Sequence, residues 1–308
     1  MDCIVLAGNR ENYRAVSQKS NKAFLEVQSQ PILRIMLGEL EKVRDIDRLL
    51  LVGPKQQLTE LVAKGLPKDY PKPILIFEQQ TDLVANIQEV IDATQEKPDP
   101  DRYLLILPSD IPLMIAEEVR EFISQCDMRR YDMVSGLTTS EALSRYYPTE
   151  TLPGVRMTYF FFRQGRYRIN NMHMVRPTAL EDAQYIRKTY AMRYQKELGN
   201  IIKMVFHLLL VGLRSPSGIF IYLGMSSARW FDGIGWRRMS RWCRKAFPLE
   251  RAAKSISKVL RTRFHLAVTH FGGAAIDVDN DADYKAIVTR FEEWVSLQRG
   301  LASRPSDQ

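Results

Sequence analysis

YLLILPSDIPL, residues 103–113, is the stretch whose reading decides the fold. Leu104, Leu105, Ile106 and Leu107 form an apolar run with the length and flanks of a strand buried on both faces. Pro108 stops the run, and Asp110 stands just past the strand's C-terminal end, braced by Pro112. In an open α/β sheet ligands bind at that edge, because strand ends and helix N-termini converge there. A lone carboxylate at the edge suits a hard cation such as Mg2+ and the phosphates it carries. The plainer role for Asp110 is to cap a helix starting near Ala116, and residues 109–112 alone do not decide between the two.

Working outward, residues 2–7 predict a short apolar strand ending at Gly8, then a polar loop to Asn21 and a small hairpin arm over 22–27. Pro31 opens a helix over 32–43. A strand at 49–52, a helix at 57–64, a strand at 74–77 and a helix at 82–94 lead into the central strand, and a helix over 116–125 follows it. Strands alternating with helices at this spacing imply βαβ units and a parallel sheet. Beyond residues 132–136 the pattern changes. Residues 156–162 and 167–175 predict paired strands around Gln164-Gly165, a hairpin signal. Residues 181–258 read as almost wholly helical, 264–269 return to strand, and 281–298 predict a final amphipathic helix. The expected architecture is α/β with a mostly parallel Rossmann-like sheet. The main domain covers 1–180 plus 264–298, a basic helical insertion covers 181–263, and a disordered tail covers 299–308.

At 308 residues and 45% hydrophobic, the chain has room for one large domain with an insertion, or for two. Cys3, Cys126 and Cys243 have neither metal-site nor disulfide spacing, which suits a reducing cytosol. The N-terminus carries an acid and runs straight into strand-like sequence, so no signal peptide is expected. The most apolar later segments, 201–213 and 218–225, are too short for a spanning helix; Lys203 interrupts the first. Between residues 229 and 263 eleven Lys/Arg face only Asp232 and Glu250, a net +9, whereas the whole chain is +8. The basic character therefore belongs to one segment.

Three pieces carry chemistry. Leu6-Ala7-Gly8 is a strand running into a glycine loop that lets backbone N–H groups approach phosphate, with Lys22 as a point charge farther on. Asp110 is the second. The third is the run Asp277-Val-Asp-Asn-Asp-Ala-Asp283, whose Asp277 and Asp279 project to one side if the run begins extended. Asn280 or Asp281 also caps the helix that follows. Each piece is weak singly.

Together they resemble a known family, the nucleotidyltransferases of the molybdenum-cofactor-guanylyltransferase-like type, with a glycosyltransferase-A-like fold. The resemblance rests on residues 6–8, on Asn21-Lys22-Ala-Phe-Leu-Glu-Val with Gln30-Pro31-Ile-Leu, on Ser109-Asp110-Ile-Pro-Leu, on the 277–283 run and on residues 166–177. It covers roughly 1–180 and 264–295 and leaves 185–260 uncovered. It implies that Lys22 contacts NTP phosphates, that Asp110 holds Mg2+, and that Asp279 or Asp277 supplies a second metal contact. It also implies that Leu6, Ala7 and Gly8 line the nucleotide, with Asn86 near the nucleotide or ribose and Asn171 on the acceptor side. The implied reaction moves an NMP group from an NTP to a phosphorylated sugar or alcohol and releases pyrophosphate. One departure stands out. Where the family loop continues with further glycines, this chain has Asn9-Arg10-Glu11-Asn12-Tyr13-Arg14, so Arg10 or Arg14 becomes a candidate for the missing phosphate contacts.

On a helical wheel at about 100° per residue, Trp236, Met239, Trp242, Cys243, Ala246 and Phe247 share one arc, and Arg237, Arg238, Arg241, Arg244 and Lys245 the other. That composition suits a helix lying on an anionic membrane surface, peripheral to the inner face, or a helix packing its aromatic arc onto the domain. Nucleic acid or another acidic partner ranks last, and no recognised nucleic-acid motif accompanies the patch. Two other functional readings stay open. One is a glycosyltransferase of the same fold, although Ser109-Asp110 has one acid where such enzymes usually carry two. The other is a catalytically impaired, membrane-associated nucleotide-binding relative.

Overall fold

The computed structural model describes residues 1–8, 16–17, 19, 21–94, 97, 99–179, 227, 230–245 and 247–303. One sheet holds β1 (Asp2–Leu6), β4 (Arg48–Gly53), β5 (Ile74–Glu78), β6 (Leu104–Pro108), β7 (Met133–Thr139), β9 (Arg166–Val175) and β10 (Phe264–Thr269), in the order β10-β7-β9-β6-β1-β4-β5, its central strands β1, β4 and β6 built from the apolar runs. A two-residue strand, β8 (Phe160–Phe161), adds to β9. All pairings are parallel except those of β9, which runs antiparallel to β6, β7 and β8. The chain is thus α/β, as the sequence pattern predicts.

Alternation along the central strands divides the core into two faces. Cys3, Val5, Leu49, Leu51, Leu105, Leu107, Met172 and Met174 pack on one side with residues of α1 (Ile32–Leu40), α4 (Ala116–Ser124) and α8 (Asp281–Ala302). Ile4, Leu50, Val52, Leu104, Ile106 and Val175 pack on the other with Ile87 and Val90 of α3 (Leu83–Thr94). Helix α2 (Lys55–Gly65) links β4 to β5. A side chain such as Leu105, with no solvent exposure, contributes about 2 kcal/mol by this burial.

Strand β7 departs from expectation. Its sequence, Met-Val-Ser-Gly-Leu-Thr-Thr, lacks an apolar run because two of its buried side chains are polar and find polar partners: Ser135 meets His173 and Thr138 meets Thr269. The hairpin around Gln164-Gly165 forms, but only Phe160 and Phe161 pair across it, not the whole of 156–162. β7 runs along one edge of β9 from Tyr167 to Val175, β6 takes His173–Val175, and β8 meets only the start of the strand, at Arg166 and Tyr167. The arm after Asn21 is a 3-10 turn (Lys22–Phe24) followed by the short pair β2 (Glu26–Val27) and β3 (Gln30–Pro31). Helix α8 continues to Ala302, past the expected end at Gln298, with a bend at Arg290.

Within 181–263, residues 181–226 lie outside the described residues. The helices α6 (Arg237–Lys245) and α7 (Leu249–Leu260) form where helix is predicted. Leu249 and Ala252 of α7 pack on Leu137, Phe162, Tyr167, Leu266 and Val268, covering one end of the sheet. Among the described residues no helix is long and apolar enough to cross a membrane.

Candidate nucleotide site

The site forms where the sheet changes direction of winding. After β1 the chain builds β4 and β5 on one side, then returns to place β6 on the other. Leu6 and Pro108 are partners at the carboxyl ends of these two central strands, and the Ser109 N–H donates to the Leu6 carbonyl at 3.1 Å. In doubly wound sheets this switch point is the crevice that takes ligands. The Ala7 N–H donates to the Val52 carbonyl at 2.7 Å, and Gly53 permits the close approach, since a Cβ there would sit 2.5 Å from the Ala7 oxygen.

Asn21 aims Lys22 into the crevice. Its amide donates to the Ala7 carbonyl at 2.8 Å and its oxygen accepts from the Ala23 N–H at 2.9 Å, starting the 3-10 turn. The Lys22 Nζ then lies 3.0 Å from Asp110 Oδ2 and 3.4 Å from Asp279 Oδ1. Lys22 and Asp110 are largely enclosed, and Asp279 is half exposed.

The acidic run reaches the crevice through its backbone, because the Val278 N–H donates to the Asp110 carbonyl at 3.0 Å. Asp277 and Asp279 take different partners. Arg168 Nη2 donates to Asp277 Oδ1 at 2.7 Å, and Arg168 Nε donates to the Ala275 carbonyl at 3.0 Å. Burial pushes the Asp277 carboxyl up to about 6, helped by the negative charges of Asp279 and Asp110 and opposed by Arg168. Burial and Asp279 also raise Asp283. Asn280 caps α8, accepting from the Asp283 N–H at 3.0 Å.

A clamp holds the turn before Asp277. Gly272 N–H and Ala274 N–H donate to the fully buried Glu118 carboxylate at 3.0 and 2.8 Å, and Gly273 N–H donates to Gln298 at 3.2 Å. Asn171 Nδ2 donates to the Ala274 carbonyl at 3.0 Å. Asn171 owes its position to a bulge: from Ile169 to His173 β9 runs four residues on, while β7 advances only two, from Leu137 to Ser135. Asn171 has φ 63 there, a conformation Asn tolerates better than most residues.

Of the residues named from sequence, Leu6, Ala7, Gly8, Lys22, Asp110, Asp277 and Asp279 meet at these strand ends, and Asn171 sits behind the acidic run, holding its turn. Asn86 stands one loop away. Its oxygen accepts from the Gln80 N–H, and the neighbouring Gln79 side chain lies beside Gly8. Arg14 and the rest of 9–15 lie outside the described residues. Sequence reasoning missed Arg168, Glu118 and the anchoring role of Asn21. A signal for Arg168 existed in the polar alternation Arg166, Arg168, Asn170 along a strand; Glu118 offered none, since an acid in the first turn of a helix is common.

The donor set suits Mg2+. Two carboxylates already converge on one cationic group, and Mg2+ is usually held by one or two carboxylates plus water and substrate phosphates. Asp277, engaged with Arg168, is less available than Asp279. Among the described residues no set of three or more His, Cys, Asp or Glu side chains is grouped as a complete metal cage.

A hypothetical transferase from Thermus thermophilus has a similar fold, with a TM-score of 0.61 and 18% identity over 92% of this chain and 98% of that one. Fainter similarities reach a 4-diphosphocytidyl-2C-methyl-D-erythritol synthase from Anaerococcus prevotii (TM-score 0.46, 12% identity, 98% of each chain) and a CMP:2-keto-3-deoxy-manno-octonic acid synthetase complexed with CTP (TM-score 0.41, 10% identity, 66% of this chain and 83% of that one). No curated protein sequence matches. The MobA-like NTP transferase domain matches residues 3–168, which run from β1 through Lys22 and Asp110 to Arg168. With more than half of its length matched, the chain belongs to the MobA-like NTP transferase domain family of nucleotidyltransferases.

Proposed function

We propose that this chain is a Mg2+-dependent enzyme that transfers an NMP group from an NTP to the phosphate of a small-molecule acceptor, a sugar or alcohol phosphate, and releases pyrophosphate. The observation that carries the reading is the position of Lys22, its ammonium bracketed by Asp110 and Asp279 at the β1–β6 switch point. A cation and two carboxylates at strand ends form a site for a phosphate chain and its metal.

In this reading the backbone after β1, at Leu6, Ala7 and Gly8, approaches the phosphates, and Lys22 moves from the carboxylates to the β- and γ-phosphates. Asn86 steadies the loop beside Gly8, and Arg14 is a further candidate for phosphate contact. Asp110 and Asp279 hold Mg2+, which when bound neutralises phosphate charge. Arg168 keeps Asp277 turned away from that position, and Asn171 holds the acceptor-side turn. An acceptor phosphate oxygen attacks the α-phosphorus in line, and the bond to the β-phosphate oxygen breaks with its electrons leaving on pyrophosphate. Such transfer depends on positioning and charge neutralisation and needs no protein nucleophile. Cys3, Cys126 and Cys243 are all free thiols, which supports a reducing cytosol as the setting.

The test is pyrophosphate release across the four ribonucleoside triphosphates and a panel of sugar and alcohol phosphates. One nucleotide–acceptor pair should react, only with Mg2+ and far more slowly in Asp110→Asn. Sugar transfer from a nucleotide-sugar without pyrophosphate would make the chain a glycosyltransferase. Nucleotide binding with neither reaction would make it a binding protein.

A further inference from the structure

The helix α6 does not bury its one aromatic residue, Trp242. Ser240 is fully buried and Cys243 and Arg244 are half-buried, so the helix packs by that side. Going round the wheel, Lys245, Arg238, Trp242 and Met239 cover a contiguous arc of about 120°, and all four are exposed. Trp242 keeps 65% of its surface in contact with solvent. The segment just before the helix adds Trp230, Ile234 and Trp236, also exposed, with Phe231 stacked on Trp236 and edge-on to Trp230. Three exposed Trp in about a dozen residues is not incidental surface composition.

This face is tied to the strand whose Arg168 holds Asp277. Arg163 N–H donates to the Phe247 carbonyl at 2.9 Å, and Leu249 N–H donates to Gln164 at 3.1 Å, so the tip of the β8–β9 hairpin is clamped to the end of α6 and the start of α7. Asp232, between the exposed aromatics, lies 3.6 Å from Arg166. Arg166 is two residues from Arg168 on β9, on the same side of the strand and about 7 Å along it, and Arg168 holds Asp277.

We propose that the face formed by Trp230, Ile234, Trp236, Arg238, Met239, Trp242 and Lys245 docks on an anionic lipid bilayer, and that the acceptor is therefore a phosphate monoester borne by a membrane lipid. The second half rests on the nucleotidyl-transfer reading above; the docking does not. Charge complementarity selects the occupant, since the surrounding 229–263 segment is net +9. Trp seats at the headgroup boundary, where basic residues meet lipid phosphates. The lipid phosphate oxygen attacks the α-phosphorus of the NTP, and the bond to the β-phosphate breaks to release pyrophosphate, leaving a nucleoside-diphosphate lipid.

The test uses the full chain with vesicles of phosphatidylcholine, with or without phosphatidylglycerol. Wild type should float only with the anionic vesicles, be released by salt, and show a blue-shifted Trp emission. Trp236→Ser/Trp242→Ser and Arg238→Glu/Lys245→Glu should each weaken flotation at least tenfold with unchanged thermal midpoints, because the altered side chains are exposed. Failure of wild type to float, self-association without flotation, or flotation unaffected in both variants would overturn the docking. Phosphatidic acid or a polyprenyl phosphate in the same vesicles should support Mg2+-dependent pyrophosphate release that falls at least tenfold in the Trp variant. Equal release with glycerol 3-phosphate by wild type and variant would overturn the lipid acceptor. Flotation as expected, with no pyrophosphate from any acceptor, would overturn nucleotidyl transfer and the lipid acceptor and leave the docking in place.

Discussion

The backbone N–H of Val278 donates to the backbone carbonyl of Asp110 at 3.0 Å, joining two acidic segments 168 residues apart in the chain. Because the bond is between backbones, it positions Asp279 and Asp110 together whatever their side chains do. Lys22 then fills the space between the two carboxylates.

Replacing Lys22 by Ala removes the ammonium and leaves Asp110 and Asp279 facing each other. The NTP dissociation constant should rise about tenfold or more, since each charge-assisted contact contributes about 1.5–3 kcal/mol. Mg2+ should raise the thermal midpoint of Lys22→Ala more than that of wild type, because it relieves the repulsion between the two carboxylates. An equal Mg2+ shift in both proteins would remove the carboxylate pair from metal binding.

Asp110→Asn preserves shape and removes the charge. Its kcat should fall about 10²–10³-fold, the usual loss when one electrostatic contact to the reacting groups is removed, with circular dichroism unchanged. A folded variant that turns over at the wild-type rate would take Asp110 out of the site.

Arg168 makes two bonds in a fixed geometry, to Asp277 and to the Ala275 carbonyl. Arg168→Lys keeps the charge and cannot reproduce that geometry. We expect kcat to drop about tenfold through misplacement of the acidic run while the KM for NTP stays within about twofold. A loss confined to KM would mean that Arg168 contacts the nucleotide directly.

A Cβ on Gly136 would overlap the side-chain amide of Asn170, which donates to Thr269 at 2.9 Å and accepts from the Met172 N–H at 3.3 Å. Gly136→Ala should therefore cost about 2–4 kcal/mol by urea unfolding, from overpacking and broken buried hydrogen bonds. Adding Asn170→Ala should recover about 1–3 kcal/mol relative to the sum of the single effects. Strict additivity would show that the two positions do not touch.

Burial pushes the Glu118 carboxyl up to about 7 from 4.5, against the pull of the Gly272, Gly273 and Ala274 N–H groups, which favour the carboxylate. An acid that holds its proton more tightly when folded stabilises the fold at low pH. That contribution is complete below about pH 4.5 and is lost as pH rises towards 7, by at most about 3 kcal/mol. Unfolding free energies of wild type and Glu118→Gln between pH 5 and 8 should show the variant lacking this downward slope. Parallel curves would assign the slope to other groups.

Much of this protein is legible in the chain itself, because its signals are local. Buried strands announce themselves as apolar runs, as at residues 104–107, and Pro108 marks where the central strand ends. Asn280 caps a helix through a bond three residues away, and the positions of Asp110 and Lys22 beside strand ends follow from the order of elements. Long-range pairing decided the rest. Nothing near residues 166–175 tells that strand to slip antiparallel between β6 and β7, and β7 was hidden because its buried polar groups find partners more than 30 residues away. The bulge that turns Asn171 towards the Ala274 carbonyl, and the Glu118 clamp on a turn more than 150 residues downstream, exist only once the sheet is assembled. The wheel of α6 likewise separates apolar from basic residues, but the side that is buried depends on what the helix packs against. Packing around Ser240 left Trp242 and Met239 at the surface beside Arg238 and Lys245.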